Sequence, residues 1–139
     1  MVAVEVGLRV PHAVLRGGAG RLRNFVTAVE EAGIDRVWVG DHVSFRGGQG
    51  YDGLLQAAAI AAVSERAMVQ TAVYLLPLRH PLTVARQVAN RAELAPGRFT
   101  FGVGVGGEDP SEVWNCGVDP ATRGSRTDES LELVRRLLS

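Results

Sequence analysis

Asp41 and His42 stand side by side as an acid–imidazole pair, and His42 is the side chain type best suited to exchanging protons near neutral pH. A loop histidine bonded only to backbone is the alternative reading. Further along, Gly104, Val105, Gly106 and Gly107 lead directly into Glu108 and Asp109. Acids in that position can stay solvated, can cap a helix, or, for Glu108, can donate a proton within a pocket. Gly102, Gly104 and Gly107 also satisfy the pattern GxGxxG. That fingerprint belongs in a first strand-to-helix turn whose third glycine enters a helix, and here Glu108-Asp109-Pro110 follows instead, so a Rossmann dinucleotide site is not expected. His12 and His80 lack the HxH or HExxH spacing that would make a metal centre. Cys116 has no His or acid partner close in sequence and reads as packing, while Trp38 and Trp114 read as core or rim aromatics.

These residues need elements to hold them. Val4, Val6, Leu8 and Val10 alternate with Glu5, Gly7 and Arg9, which predicts a first strand over 4–10. Leu22, Phe25, Val26 and Val29 have helical spacing, and Gly33 stops that helix. RVWVGDHV is a second strand, LLQAAAIAAVSE a second helix, and MVQTAVYLL a third strand. Pro81 sits where a first-turn proline is tolerated, and a third helix runs from about Leu82 to Leu94 before Pro96-Gly97. RFTFGVGVG is the fourth strand. The last helix begins near Ser125, where Ser125 and Asp128 have capping-box spacing, and buries Leu131, Val134 and Leu138.

Strand starts recur about every 30 residues, the length of a strand–helix unit. The alternation predicts a parallel sheet with helices on its outer face, the first half, (β/α)4, of a TIM (β/α)8 barrel. A whole barrel takes ~250 residues, and this chain has 139. The expectation is therefore a single domain over 1–139, truncated after its fourth helix. Sites in such folds lie at the C-terminal ends of strands, where Asp41-His42 and the glycine cluster both fall. In the fourth strand Phe99, Phe101, Val103 and Val105 share one face, and Thr100, Gly102, Gly104 and Gly106 the other. The glycine face either eases strand curvature or leaves room for a large flat ligand against the backbone.

Composition argues against several partners. Basic and acidic residues number 15 each, so no nucleic acid or anionic membrane surface is indicated. One cysteine excludes an intrachain disulfide or cysteine metal cluster. Met1 is followed by VAVEVGLRV rather than a signal peptide, and the longest apolar run, Ala57 to Val63, is far short of the ~18 residues of a membrane span. A cytoplasmic protein is the expectation.

Four segments together resemble the bacterial luciferase-like monooxygenase family: VWVGDHV, TAVYLLPLRHPLTVARQ, RFTFGVGVGGEDPSEVWNCGV and DPATRGSRTDESLELVRRLL. The resemblance spans the chain but only the N-terminal half of a family member. It implies a barrel that binds coenzyme F420 or FMN at the C-terminal ends of its strands. It assigns Asp41 and His42 to cofactor contact, His42 to proton handling, and a cis peptide at Ala72-Val73 to backing the ring. Gly104, Val105, Gly106 and Gly107 would line the ring edge, with Glu108 as the neighbouring acid. The DHV form and the GVGGEDPSE turn look more like the F420-dependent oxidoreductases, with hydride transfer to or from a small organic substrate; FMN-dependent monooxygenation is the alternative. The family's second and third helices imply a homodimer. A non-catalytic half barrel that closes with itself or a complementing chain is the reading from a different class.

Overall fold

The computed structural model describes residues 4–139. Four parallel strands lie in sequential order, β1 (Gly7–Arg9), β2 (Arg36–Val39), β3 (Met68–Leu75) and β4 (Phe99–Gly104). The first strand is shorter than its alternation predicts. Its ladder begins at Gly7 because the partner strand begins opposite it at Arg36, and Val4 and Val6 lie exposed before it.

Between β1 and β2 run α1 (His12–Leu15) and α2 (Gly18–Glu31). Leu22, Val26 and Val29 of α2 are buried, as their spacing predicts. Gly33 takes φ +75°, and the amides of Gly33 and Ile34 bond back to the carbonyls of Glu30 and Val29, a Schellman ending that only a left-handed residue closes easily. The segment after β2 forms a short turn, α3 (Phe45–Gly48), then α4 (Gly53–Ala61), whose N-cap Asp52 accepts from the Leu55 amide. Sequence predicts that α4 continues to Glu65. It stops at Ala61 because the next residues answer a stronger local demand: Glu30 Oε1 accepts from Ser64 Oγ and from the amides of Glu65, Arg66 and Ala67.

After β3 come a 3-10 turn, Leu76–Leu78, and α5 (Pro81–Leu94), which begins at Pro81 as expected. After β4 the chain forms α6 (Pro110–Asn115), which the sequence reading takes for loop. A 3-10 turn, Pro120–Thr122, then runs straight into α7 (Arg123–Leu138). This displaces the expected start: Asp119 caps the turn by accepting from the Ala121 amide, the helix needs no further cap, and Ser125 Oγ bonds Thr122 O instead of forming a box with Asp128. Of the predicted stripe, Val134 is buried, Leu131 half-buried and Leu138 exposed.

Helices cover one face of the sheet. Val26 and Val29 of α2 and Ile60 of α4 pack on Val37, Val39 and Val69. Val84 and Val88 of α5 and Val134 of α7 pack around Tyr74, with Phe99, Phe101 and Val103 against them. Each fully buried side chain of this size contributes about 1.5–3 kcal/mol. The opposite face is polar: Arg9, Trp38, Gln70 and Thr100 align in register. There Arg36 Nη1 donates to Gln70 Oε1 at 3.0 Å, and the Arg9 guanidinium lies over the Trp38 ring. Among the described residues no helix is long and apolar enough to cross a membrane.

The peptide between Ala72 and Val73 is cis. Pairing with β4 shifts register between Thr71 and Tyr74, so β3 bulges towards β4 at that point. The bulge explains the glycine face of the fourth strand. A Cβ on Gly102 would lie 2.1 Å from Thr71 O, and one on Gly104 would lie 2.2 Å from Val73 Cγ2. Neither strand curvature nor ligand room is needed to account for those two glycines; β3 occupies the space.

Candidate functional site

The C-terminal ends of all four strands converge on His42. Gly40, Asp41 and His42 follow β2, and the loop returns so that the Tyr51 carbonyl accepts the His42 amide at 3.0 Å. Gly50 presses against this histidine: a Cβ there would lie 2.6 Å from His42 Cβ. The imidazole stacks on Phe45, with ring centroids 4.2 Å apart.

Asp41 holds the position rather than facing the opening. Its side chain has no exposed surface. Oδ1 accepts from the Gly53 amide, Oδ2 from the Leu75 amide, both at 2.8 Å, and Arg79 bonds both oxygens. Burial pushes the Asp41 carboxyl up, while Arg79 and the two amides pull the other way. Burial also opposes the Arg79 charge, yet Asp41 lifts the guanidinium above its ordinary value. Donors converge on both oxygens from two amides and a guanidinium, which is the geometry of an ionised carboxylate. Arg79 reaches Asp52 at 3.3 Å and lies over the Tyr74 ring, whose hydroxyl burial pushes up. Asp41 therefore ties the β2 end to α4 and β3, and its backbone rather than its side chain is left to line the cleft.

The acid that meets His42 is Glu112, which the sequence reading passes over in favour of Glu108. Glu112 Oε2 lies 3.0 Å from His42 Nδ1, and Oε1 accepts from the amides of Val43 at 2.5 Å and Ser44 at 3.0 Å. The Glu112 side chain is 4% exposed, whereas that of Glu108 is 69% exposed, with Arg46 3.8 Å away. A signal was present. Asp109, Pro110 and Glu112 carry the cap, N1 and N3 residues of a helix start. Asp109 does cap α6, accepting from the Ser111 amide at 3.0 Å, but the N3 glutamate turns away from its own cap to the β2 loop.

A carboxylate accepts and cannot donate, so the proton of the His42–Glu112 contact sits on Nδ1 and leaves Nε2 as the ring's basic nitrogen. Beside it lies a cleft of about 360 Å³, lined by His42, Ala72, Val73, Gly106, Gly107 and Glu108 among others. Gly106 and Gly107 have φ of +72° and +117°, so the wall after β4 is bare backbone that a side chain would strain. The terminal guanidinium of Arg123 packs against Gly107. Val73, half-exposed, lines the cleft, and Val105, similarly exposed, is not among its lining residues. The cleft thus brings together His42, Ala72, Val73, Gly106, Gly107 and Glu108, with Gly104 behind Val73.

Cys116 packs beside Leu75, Leu78, Val113 and Val118, and burial pushes its thiol up. Among the described residues no cluster of His, Cys, Asp and Glu could hold a metal ion.

A family model described as luciferase-like monooxygenase matches residues 4–139. The chain is 38% identical over 111 residues to 4-hydroxyprotoasukamycin monooxygenase of Streptomyces nodosus subsp. asukaensis, covering 80% of this chain and 30% of that protein. It is 34% identical over 128 residues to F420-dependent glucose-6-phosphate dehydrogenase of Kineococcus radiotolerans, covering 86% and 37%. Among solved structures, the oxygenating constituent of 3,6-diketocamphane monooxygenase from the CAM plasmid of Pseudomonas putida, in complex with FMN, superimposes with TM-score 0.80. At 22% identity that likeness is one of fold, over 97% of this chain and 40% of the other. The four-stranded parallel sheet is accordingly half of a barrel, and the chain spans about a third of the length of these curated relatives.

Proposed function

The chain belongs to the luciferase-like monooxygenase family, and from that premise we propose that it supplies the first four strand–helix units of a barrel oxidoreductase transferring hydride between coenzyme F420 and a small organic substrate. The observation that carries the reading is the His42–Glu112 pair beside a cleft walled by bare backbone. The F420-dependent relative at 34% identity supports the choice of coenzyme.

The residues fit a flat ring. Ala72, Val73, Gly106 and Gly107 would hold it, with Gly104 behind Val73 and Val105 joining β4 to the turn, since the bulge of β3 and the positive-φ glycines keep large side chains out of the slot. The coenzyme supplies the hydride acceptor or donor. His42 Nε2 takes the proton from a substrate hydroxyl as that carbon is oxidised, or returns it in the reverse direction. Glu112 holds the imidazole in the required tautomer and steadies the imidazolium that forms, while its Oε1 fixes the backbone at Val43 and Ser44. Asp41 and Arg79 anchor the strand end from behind. Glu108 stands at the rim as a second acid.

In this reading the rest of the pocket comes from a second half barrel. Pairing of two copies through α4 and α5, whose outer face exposes Leu55 and Leu94, belongs to the same proposal.

Titration of the purified protein with reduced and oxidised F420, with FMN in parallel, tests the reading by absorbance and fluorescence. Saturable F420 binding that His42→Ala weakens is the expected result. Preference for FMN with substrate-dependent oxygen uptake moves the protein to the monooxygenase reading, which the 38% identical relative favours. Binding of neither removes an autonomous cofactor site from these four units.

A further inference from the structure

A second cleft, of about 320 Å³, shares Arg9, Gly40, Asp41, His42 and Glu108 with the first and opens between the β1 end and the β2 loop. Val10, Leu15, Val39 and Phe45 make its apolar side, and Arg9, His12 and Arg16 its polar side. Arg9 Nη2 lies 3.2 Å from His12 Nε2. Arginine has no acceptor, so Nε2 is the bare nitrogen and His12 is neutral there. Arg16 Nε donates to the Tyr51 hydroxyl at 2.9 Å, and the Tyr51 ring tilts against His12 at 5.5 Å. Two cations from different elements thus stand around one imidazole, Arg9 against His12 and the Trp38 ring and Arg16 bonded to Tyr51 of the loop that follows His42.

Among the described residues neither Arg9 nor Arg16 forms a salt bridge. Of the acids that line the cleft, Asp41 is bonded by Arg79, and Glu108 is exposed at the rim, nearest Arg46 at 3.8 Å. Burial holds the His12 ring below its ordinary value, and the charges of Arg9, Arg16 and His42 add to that. Arg9, His12 and Arg16 are exposed, so solvent weakens their mutual repulsion, and the gain from an anion among them is chiefly the charge-assisted hydrogen bonds that it accepts.

We propose that this cleft is an anion subsite in which Arg9, His12 and Arg16 bind the carboxylate or phosphate group of a small organic molecule beside His42. That the molecule is the substrate rests on the function proposed above; that the cleft binds an anion does not. A substrate so held places its charged group among the arginines and its reacting carbon towards His42.

The test is an NMR titration of the protein with inorganic phosphate and, separately, with acetate at constant ionic strength. It follows the His12 ring signal, assigned with His12→Gln. Saturable change with at least one anion, with the His12 pKa rising by about one unit, is expected, and the tighter probe names the bound group. The Arg9→Gln/Arg16→Gln protein should bind about tenfold more weakly or worse, and Arg9→Lys/Arg16→Lys, which keeps the charge, should retain the shift. A response that never saturates, or that persists unchanged in the glutamine variant, is bulk screening and overturns the proposal. F420 binding without anion binding removes the subsite alone, and anion binding without F420 binding leaves it standing while the coenzyme reading falls.

Discussion

Glu112 and His42 are separated by 70 positions in sequence, yet Oε2 of one lies 3.0 Å from Nδ1 of the other. Asp109 starts α6 at the place that lets the glutamate at its third position reach back under the β2 loop. The contact determines which ring nitrogen is free, and so what His42 can do.

Glu112→Gln separates the two duties of that residue. Its carbonyl can still accept from Val43 and Ser44, but its amide group donates to His42 and reverses the tautomer. Imidazole nitrogen shifts should report protonation moving from Nδ1 to Nε2. In the complete enzyme, activity should fall by about 10²–10⁴, the ordinary worth of a positioned acid–base group. An unchanged tautomer would show that Glu112 does not control the ring.

Asp41→Asn leaves the Arg79 guanidinium, 17% exposed, without its buried partner and with the more exposed Asp52 3.3 Å away. Breaking a buried pair from one side costs about 3–5 kcal/mol, and urea unfolding should register a loss in that range. An Asp41→Leu/Arg79→Met protein should lose less than the two single changes added together, because the second removes the charge that the first strands.

Glycine positions divide cleanly by what faces them. Gly102→Ala forces a methyl group into Thr71 O, a backbone atom that cannot swing aside, and should destabilise by about 1–3 kcal/mol or more. Gly124→Ala, on α7 with nothing within 4 Å, should stabilise by about 0.5–1 kcal/mol. Thermal melts of the two variants should move in opposite directions.

Glu30 contributes a pH dependence. Burial raises its carboxyl, but the amides of Arg66 and Ala67, the Ser64 hydroxyl and the Glu65 amide together pull it below its ordinary value. A folded-state value below the unfolded one gives stability that is present above the unfolded value and is lost as pH falls through the folded one. Stability should therefore decline on the acid side, and Glu30→Gln should flatten that arm. An acid arm identical in Glu30→Gln and the parent protein would locate the effect elsewhere.

The strand–helix alternation, the burial of Leu22, Val26 and Val29, the entry of α5 at Pro81 and the family itself were legible in the sequence. Each rests on neighbours a few residues apart or on short motifs, and hydrophobic periodicity is a local quantity. The boundaries that missed did so where a distant partner intervened. Glu30 captured the residues expected to extend α4, and the start of β2 truncated β1.

The chemistry divides along the same line. Sequence alone placed His42 at the end of the second strand, Ala72-Val73 in the third and the glycine cluster after the fourth, because the order of βα units dictates which segments share one rim. Only the tertiary structure decided that Asp41 serves the scaffold and that Glu112, not Glu108, meets His42. It alone decided that Gly102 and Gly104 are glycines because β3 bulges into them, and that Arg9 and Arg16 gather around His12. Those outcomes depend on the register between parallel strands and on the paths of returning loops, and a shift of one residue in either would pair different side chains without altering any local pattern.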